Sequence, residues 1–203
     1  MYKAIGKRLF DLFFSLMGLF FLSPVFLLVP VFIKLDSPGP VFFVQKRMGQ
    51  AGRPFFLIKF RSMTCDTEQE KKGFEPGSAR RITNIGRLLR KSKLDEVPQL
   101  INVFLGDMSF VGPRPEVERY KDFYTGKYAG LLGVRPGITD AASIKYRHEE
   151  EILAKSDDPQ KTYQENILPD KLKIASDYVR SISLKGDIKI IVQTLGVVLQ
   201  RKV

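Results

Sequence analysis

The run LFFSLMGLFFLSPVFLLVPVFI, Leu12–Ile33, carries no charged residue and is bounded by Asp11 and Lys34. Its 22 residues would form a straight helix about 33 Å long at roughly 1.5 Å per residue, enough for a hydrocarbon core of about 30 Å. The lipid bilayer is its natural solvent. A cleavable signal peptide is disfavoured, because its apolar region is usually about 7–15 residues and no small-residue cleavage site follows Lys34. Pro24 deletes one backbone hydrogen bond near the middle of the run and presses on the preceding turn, which predicts a kink, with Ser23 partly covering the freed carbonyl. Each half then has roughly 11 or 12 residues, about 17 Å, which cannot cross a bilayer by itself. Basic residues flank both ends, Lys3, Lys7 and Arg8 before and Lys34, Lys46 and Arg47 after, so charge bias does not place the ends on opposite sides. A re-entrant segment and a single span with a mild kink both stay open. In Lys7-Arg8-Leu9-Phe10-Asp11, at the headgroup level, two cations can pair lipid phosphates while Asp11 restrains one of them; a basic anchor flank is the simpler reading.

Outward from this run, the chain reads as one domain with an appendage: 203 residues, with 33 Lys and Arg against 22 Asp and Glu, formal charge +11. That excess points to an anionic partner, such as nucleic acid, a phosphate-rich small molecule or an acidic membrane face. One cysteine, Cys65, excludes an internal disulfide framework, and with one histidine, His148, a Cys/His zinc site has too few ligands. Ser-His-Asp hydrolysis is disfavoured for the same reason, whereas carboxylate or metal-plus-carboxylate chemistry stays open. After the turn-rich Ser37-Pro38-Gly39-Pro40, the apolar runs Val41–Val44 and Phe55–Phe60, separated by Gly49-Gln50-Ala51-Gly52, predict a β-hairpin. The segment from Cys65 to Ala79 is polar and reads as a surface loop. Ile82, Ile85, Leu88 and Leu89 recur at helical spacing among Arg80, Arg81, Arg87, Arg90 and Lys91, a basic amphipathic helix. A second helix is expected to start near Leu94-Asp95-Glu96-Val97-Pro98, run through Phe104 and stop at Gly106-Asp107. Gly112-Pro113-Arg114-Pro115 and Arg135-Pro136-Gly137 are rigid turns presenting arginines. Near the C-terminus, Ile188, Ile191, Val192, Leu195, Val198 and Leu199 share one helical face beside Lys185, Lys189, Arg201 and Lys202; such a helix can lie flat on an anionic membrane, and for part of the stripe core packing is the favoured reading.

The most suggestive chemistry is the adjacent pair Asp95-Glu96 at an expected helix start, where free amides and the helix dipole favour ionised carboxylates and phosphate. An ionised carboxylate can act as a nucleophile toward phosphorus, and a divalent metal can screen its repulsion from phosphates. A dipole role alone is the plain alternative. Lys59, Arg61, Arg87, Arg90, Arg114 and Arg135 lie on separate elements that a compact domain can gather around phosphates. A membrane segment joined to such a domain suggests a reaction in which one phosphorylated reactant is a lipid.

Several long motifs, in order, resemble those of the bacterial sugar transferases called monotopic phosphoglycosyl transferases. They are Lys93-Leu94-Asp95-Glu96-Val97-Pro98-Gln99-Leu100-Ile101-Asn102-Val103, Gly106-Asp107-Met108-Ser109-Phe110-Val111-Gly112-Pro113-Arg114-Pro115, Lys59-Phe60-Arg61-Ser62-Met63, Arg135-Pro136-Gly137-Ile138-Thr139, the early Lys7-Arg8 and Asp11, and Ser23-Pro24. The resemblance implies an α+β fold: a small, mostly helical catalytic domain with a β-hairpin and amphipathic interface helices, residues 37–203, behind a re-entrant, proline-kinked membrane helix, residues 1–36. It implies transfer of a phosphosugar from a UDP-sugar to polyprenyl (undecaprenyl) phosphate, giving UMP and a polyprenyl diphosphate sugar, with Mg2+ as cofactor. This step would initiate glycoconjugate or surface polysaccharide synthesis at the cytoplasmic face of a bacterial inner membrane. By the same resemblance Asp95 is the nucleophile and metal ligand, and Glu96 orients or deprotonates the acceptor phosphate. Lys59, Arg61, Arg90 and Arg114 hold phosphates, and Arg135, Pro136 and Gly137 shape the nucleotide pocket. Lys7, Arg8, Asp11, Ser23 and Pro24 meet the membrane and its headgroups. No nucleic-acid partner is expected; a homo-oligomer is left open.

After Thr139 the sequence departs from many relatives, with Asp140-Ala141-Ala142-Ser143-Ile144-Lys145-Tyr146-Arg147-His148 leading into three glutamates, and inference of the sugar stops there. His148 reads as a surface or structural histidine rather than a base. Two rivals remain: a membrane-bound scaffold that recruits polyanions without chemistry, and direct transfer between two bound substrates with Asp95 only holding magnesium.

Overall fold

The computed structural model describes residues 2–64 and 81–200. The polar segment from Cys65 to Ala79, Arg80, Arg201 and Lys202 lie outside the described residues. In the apolar run the chain forms two helices, α1 (Lys7–Phe21) and α2 (Ser23–Asp36), bent by 57° at Leu22. The break puts Pro24 in the first turn of α2, where its missing N–H costs nothing, and the Ser23 hydroxyl donates to Phe20 O at 2.8 Å, the carbonyl that Pro24 leaves without its helical partner. Pro30 lies inside α2. Among the described residues no single helix is long and apolar enough to cross a membrane; the bent pair is, by length and composition.

The hairpin follows as β1 (Phe42–Met48) and β2 (Pro54–Phe60), antiparallel, with Phe42 opposite Phe60 and Met48 opposite Pro54. Next come α3 (Asn84–Ser92), capped by the Thr83 hydroxyl accepting from Gly86 N, and α4 (Gln99–Leu105), ended by Gly106 at φ 96°. The expected helix start at Leu94 is corrected: Leu94–Glu96 form a separate 3-10 turn, and α4 begins only after Pro98. Two three-residue strands, β3 (Ser109–Val111) and β4 (Gly137–Thr139), pair in parallel. A helical half completes the chain: α5 (Ala141–Lys145), α6 (Glu149–Ala154), α7 (Pro159–Thr162), α8 (Leu168–Arg180) and α9 (Leu184–Gln200). The architecture is α+β and mostly helical.

Three apolar clusters hold these pieces. Phe60 packs with Val29, Ile33 and Leu89, so α2, β2 and α3 share one core beside the turn that carries Asp95. Phe55, Leu57, Val103 and Met108 seat α4 on the hairpin. Tyr120, Tyr124, Leu131, Leu153, Tyr163, Leu168 and Leu172 are among those filling the helical half. Asn102, 1 % exposed, ties α4 to β2: its side-chain amide accepts from Ile58 N at 3.1 Å and donates to Phe56 O at 2.8 Å, taking the place of a neighbouring strand along the free edge of β2.

The basic residues ahead of the apolar run face the protein, contrary to the headgroup expectation. Arg8 donates to Val103 O at 2.7 Å and Phe104 O at 2.8 Å, capping the C-terminus of α4. Asp11, 1 % exposed, accepts from Ser109 Oγ and Phe110 N, both at 3.0 Å, and ties α1 to β3. Lys7 pairs with the fully buried Asp187 of α9, which also accepts from Tyr2 Oη and Tyr178 Oη. The first and last helices are therefore joined by a buried polar network. On α9 the inward side carries the buried Asp187 and Ile190 and the half-buried Thr194, the last hydrogen-bonded to Thr139. Of the stripe, Ile188, Val192, Leu195 and Leu199 are exposed, so core packing does not account for them, while Ile191 and Val198 are half-buried.

Candidate active site

The turn Leu94–Glu96 hangs between α3 and α4 because Lys93 ends α3 in the left-handed conformation, φ 60° and ψ 14°, a position usually filled by glycine. Glu96 N donates to Lys93 O, and the hydrophobic neighbours Leu94 and Val97 drop into the core formed by Phe60, Leu89 and α2. Those two anchors set the direction in which the intervening carboxylates point.

The two carboxylates have different surroundings. Glu96 is tied to Lys59 Nζ at 2.8 Å, with Lys93 Nζ at 3.9 Å from the same oxygen. Burial works against its charge, but Lys59, Lys93 and Arg114 outweigh that and hold the Glu96 carboxyl well below the usual carboxylate range. Asp95 is 7 % exposed, and its Oδ1 is buried without a hydrogen-bond partner. Burial and the neighbouring Glu96 charge push the Asp95 carboxyl up, against the pull of Lys59, Lys93 and Arg90. One carboxylate is thus neutralised and fixed, while the other keeps an oxygen in reserve for a reacting group or a cation. A buried acceptor with no partner costs about 1–3 kcal/mol, so a cation or reacting group that reached Asp95 Oδ1 would recover that cost; Asp11 Oδ2 is unpartnered in the same way, but away from the cations gathered here.

Around the pair, the structure brings together Lys59 from β2, Arg90 from α3, Lys93 from the hinge and Arg114 from the loop after β3. Surrounding protein opposes the Arg114 charge, but Glu96, Glu116, Asp140 and Glu149 raise its pKa further and keep it cationic. Arg114 and Arg135 are placed by two glycines. An added Cβ on Gly137 would stand 2.1 Å from Gly112 N, so the two Pro-fixed turns meet backbone to backbone only because neither residue has a side chain. Gly137 and Pro136 are buried in that contact, and Arg135 Nε donates to Gly106 O at 2.8 Å, which joins Arg8 in capping α4.

Arg61 departs from its expected place. Its guanidinium is 3 % exposed and donates to Pro38 O, Ser37 O and Oγ, and Ile33 O, so it closes the C-terminus of α2 rather than joining the cations around Asp95. His148 is at the surface beside Glu151. Sequence reasoning missed Lys93, Glu116 and Asp140. Glu116 accepts from Tyr163 Oη at 2.9 Å, and Asp140 caps α5 by accepting from Ser143 N. With Arg114 they line a cleft shared with Tyr124, Ser143 and Lys171. Of the three, only Asp140 lies in the segment after Thr139 whose departure the sequence showed; nothing in the sequence singled out Lys93 or Glu116.

Among the described residues no group of three or more Asp, Glu, His or Cys side chains could hold a metal. Magnesium does not need one, since it keeps several waters and binds through one or two carboxylates together with substrate phosphates. The unpartnered Asp95 Oδ1 fits that donor set.

The family described as bacterial sugar transferase matches residues 2–201. The chain is similar to a UDP-glucose:undecaprenyl-phosphate glucose-1-phosphate transferase of Caulobacter vibrioides, at 35 % identity over 94 % of this chain and 68 % of that protein. A UDP-N-acetylgalactosamine-undecaprenyl-phosphate N-acetylgalactosaminephosphotransferase of Aeromonas hydrophila is 35 % identical over 97 % of the chain, which spans only 44 % of that relative's length. An exopolysaccharide production protein of Rhizobium leguminosarum is 37 % identical over 93 % of the chain and 92 % of its own length.

Proposed function

The chain belongs to the bacterial sugar transferase family, and from that membership we propose that it moves a sugar 1-phosphate from a UDP-sugar to undecaprenyl phosphate through a covalent intermediate on Asp95. The carrying observation is the asymmetric carboxylate pair: Glu96 fixed on Lys59, and Asp95 buried with Oδ1 unpaired. Relatives named for both substrates support the donor and acceptor classes.

In the first step an oxygen of the ionised Asp95 attacks the β-phosphorus. The bond from that phosphorus to the bridging oxygen breaks, UMP leaves with that oxygen, and the phosphosugar stays on Asp95 as an acyl phosphate. In the second step an oxygen of the lipid phosphate attacks the same phosphorus and Asp95 is released as carboxylate. Lys59, Arg90 and Arg114 offset the charge of the phosphates. A Glu96 held this acidic is a poor base, so we assign it the orienting role: it keeps Lys59 in place and leaves the acceptor to enter already ionised. Magnesium, with Asp95 as its protein ligand, would supply screening of the diphosphate charge. We further propose that α1 and α2 enter and leave the cytoplasmic leaflet on the same side, that the exposed face of α9 lies on the bilayer, and that the reaction initiates a glycoconjugate or surface polysaccharide at a bacterial inner membrane. The 57° bend and the exposed Leu184, Ile188, Val192, Leu195 and Leu199 of α9 support this placement.

Detergent-purified protein incubated with magnesium and UDP-sugars, without acceptor, is expected to release UMP in stoichiometric amount and to gain a phosphosugar mass. Asp95→Asn is expected to keep the fold and lose both signals, with turnover reduced by roughly 10³-fold or more, since a neutral amide is a poor nucleophile. UMP that appears only when both substrates are present would favour direct transfer. Full activity of Asp95→Asn would refute the assignment.

A further inference from the structure

Lys93 has a side chain placed for a role that the two-step scheme leaves unassigned. Its backbone sits in the left-handed region, φ 60°, at the junction between α3 and the turn carrying Asp95, where glycine is the residue of least strain. That conformation brings its ammonium to 3.9 Å from Glu96 Oε1. The distance is beyond hydrogen bonding, and the same oxygen already accepts from Lys59 at 2.8 Å. Lys59 is 20 % exposed, whereas the Lys93 side chain is 43 % exposed. Glu96 therefore neutralises Lys59 and steers Lys93 without consuming it. The result is a loosely held cation at the rim of the site, two residues from the carboxylate with the unpaired oxygen.

Building on the phosphosugar-transfer reading, we propose that Lys93 is a donor-binding residue that moves from Glu96 to the diphosphate of the UDP-sugar when the donor enters. Its place on the hinge matters as much as its charge. A lysine on a flexible stem trades a weak contact with Glu96 for a charge-assisted hydrogen bond to phosphate, while Lys59 stays behind to hold Glu96. The acceptor lipid phosphate meets the site after UMP has left and does not depend on this contact.

Two variants separate charge from backbone. Lys93→Gly removes the cation and suits the left-handed turn, and Lys93→Arg keeps the cation. The first measurement is calorimetric titration of the detergent-purified protein with UDP and magnesium, which requires no turnover; melting temperatures are measured alongside. Lys93→Gly is expected to weaken UDP binding by roughly tenfold or more, the size of one lost charge-assisted contact, with melting unchanged or raised. Lys93→Arg is expected to stay within about threefold of the native protein, less than one such contact is worth. Native UDP affinity in Lys93→Gly, or an equal loss in Lys93→Arg, would overturn the proposal. In turnover the donor KM of Lys93→Gly should rise with the acceptor KM unmoved; a rise confined to the acceptor KM would also overturn it. A native protein that binds UDP through Lys93 yet releases no UMP from any UDP-sugar would refute the transfer chemistry and leave the binding role standing.

Discussion

The smallest determinant of the site is a missing side chain. Gly112 and Gly137 let the Arg114 and Arg135 turns touch, and a Cβ on Gly137 would also lie 2.5 Å from Gly112 O. Backbone atoms cannot swing aside as a side chain can. Gly137→Ala is expected to destabilise the protein by about 3 kcal/mol, the upper range for overpacking, and to impair activity by displacing Arg114. Thermal unfolding in detergent checks the first effect, and an unchanged melting temperature would refute the close approach. At this scale the sequence was informative about residue type and silent about direction. Asp95-Glu96 announced itself by adjacency and setting. Arg8 and Arg61 did not, because a guanidinium suits a phosphate and the carbonyl end of a helix equally, and only the fold shows which it faces. Lys93 gave no sign of its left-handed backbone, which glycine or asparagine would have advertised.

At the scale of elements, the hairpin was readable from two apolar runs around Gly49–Gly52, and α3 and α9 from their spacing. The pairing of β3 with β4 was not, since Ser-Phe-Val and Gly-Ile-Thr are too short to show a period. The start of α4 was misplaced because acids followed by proline mark a helix start and a preceding tight turn alike. What fixes α4 against the hairpin is one amide. Asn102→Ala would leave Ile58 N and Phe56 O without their partner and open a small void, at a cost of about 3 kcal/mol. The measurement is urea unfolding in micelles. Because α4 follows directly from the Asp95 turn, the variant should also lose activity at temperatures where it remains folded; full activity and native stability together would refute this role for Asn102.

For the whole molecule, the bent α1 and α2 pair and α9 present apolar surface from opposite ends of the chain. Phe13, Phe20, Leu27 and Leu35 are exposed on the former, and Val192, Leu195 and Leu199 on the latter. If α9 lies on the bilayer, each of its leucines contributes about 1.5–3 kcal/mol of burial, so Leu195→Glu should cut binding to anionic vesicles by about tenfold or more. Cosedimentation of detergent-extracted, reconstituted protein measures this, and undiminished binding would show that α9 does not carry membrane affinity. The sequence located the apolar stripe but could not say which side of α9 faced inward. The decisive fact is that Asp187 and Ile190 are the buried ones, with Thr194 turned to Thr139 on the same side.

The Lys7–Asp187 pair spans 180 positions of sequence. A ribosome releases Lys7 180 residues ahead of Asp187, with the apolar helices directly behind Lys7. During synthesis the bent α1 and α2 pair must therefore wait, with Lys7 and Tyr2 lacking their carboxylate partner, until Asp187 has emerged. Closure of that ring is a late event in folding, dominated by long-range contact rather than local helix formation.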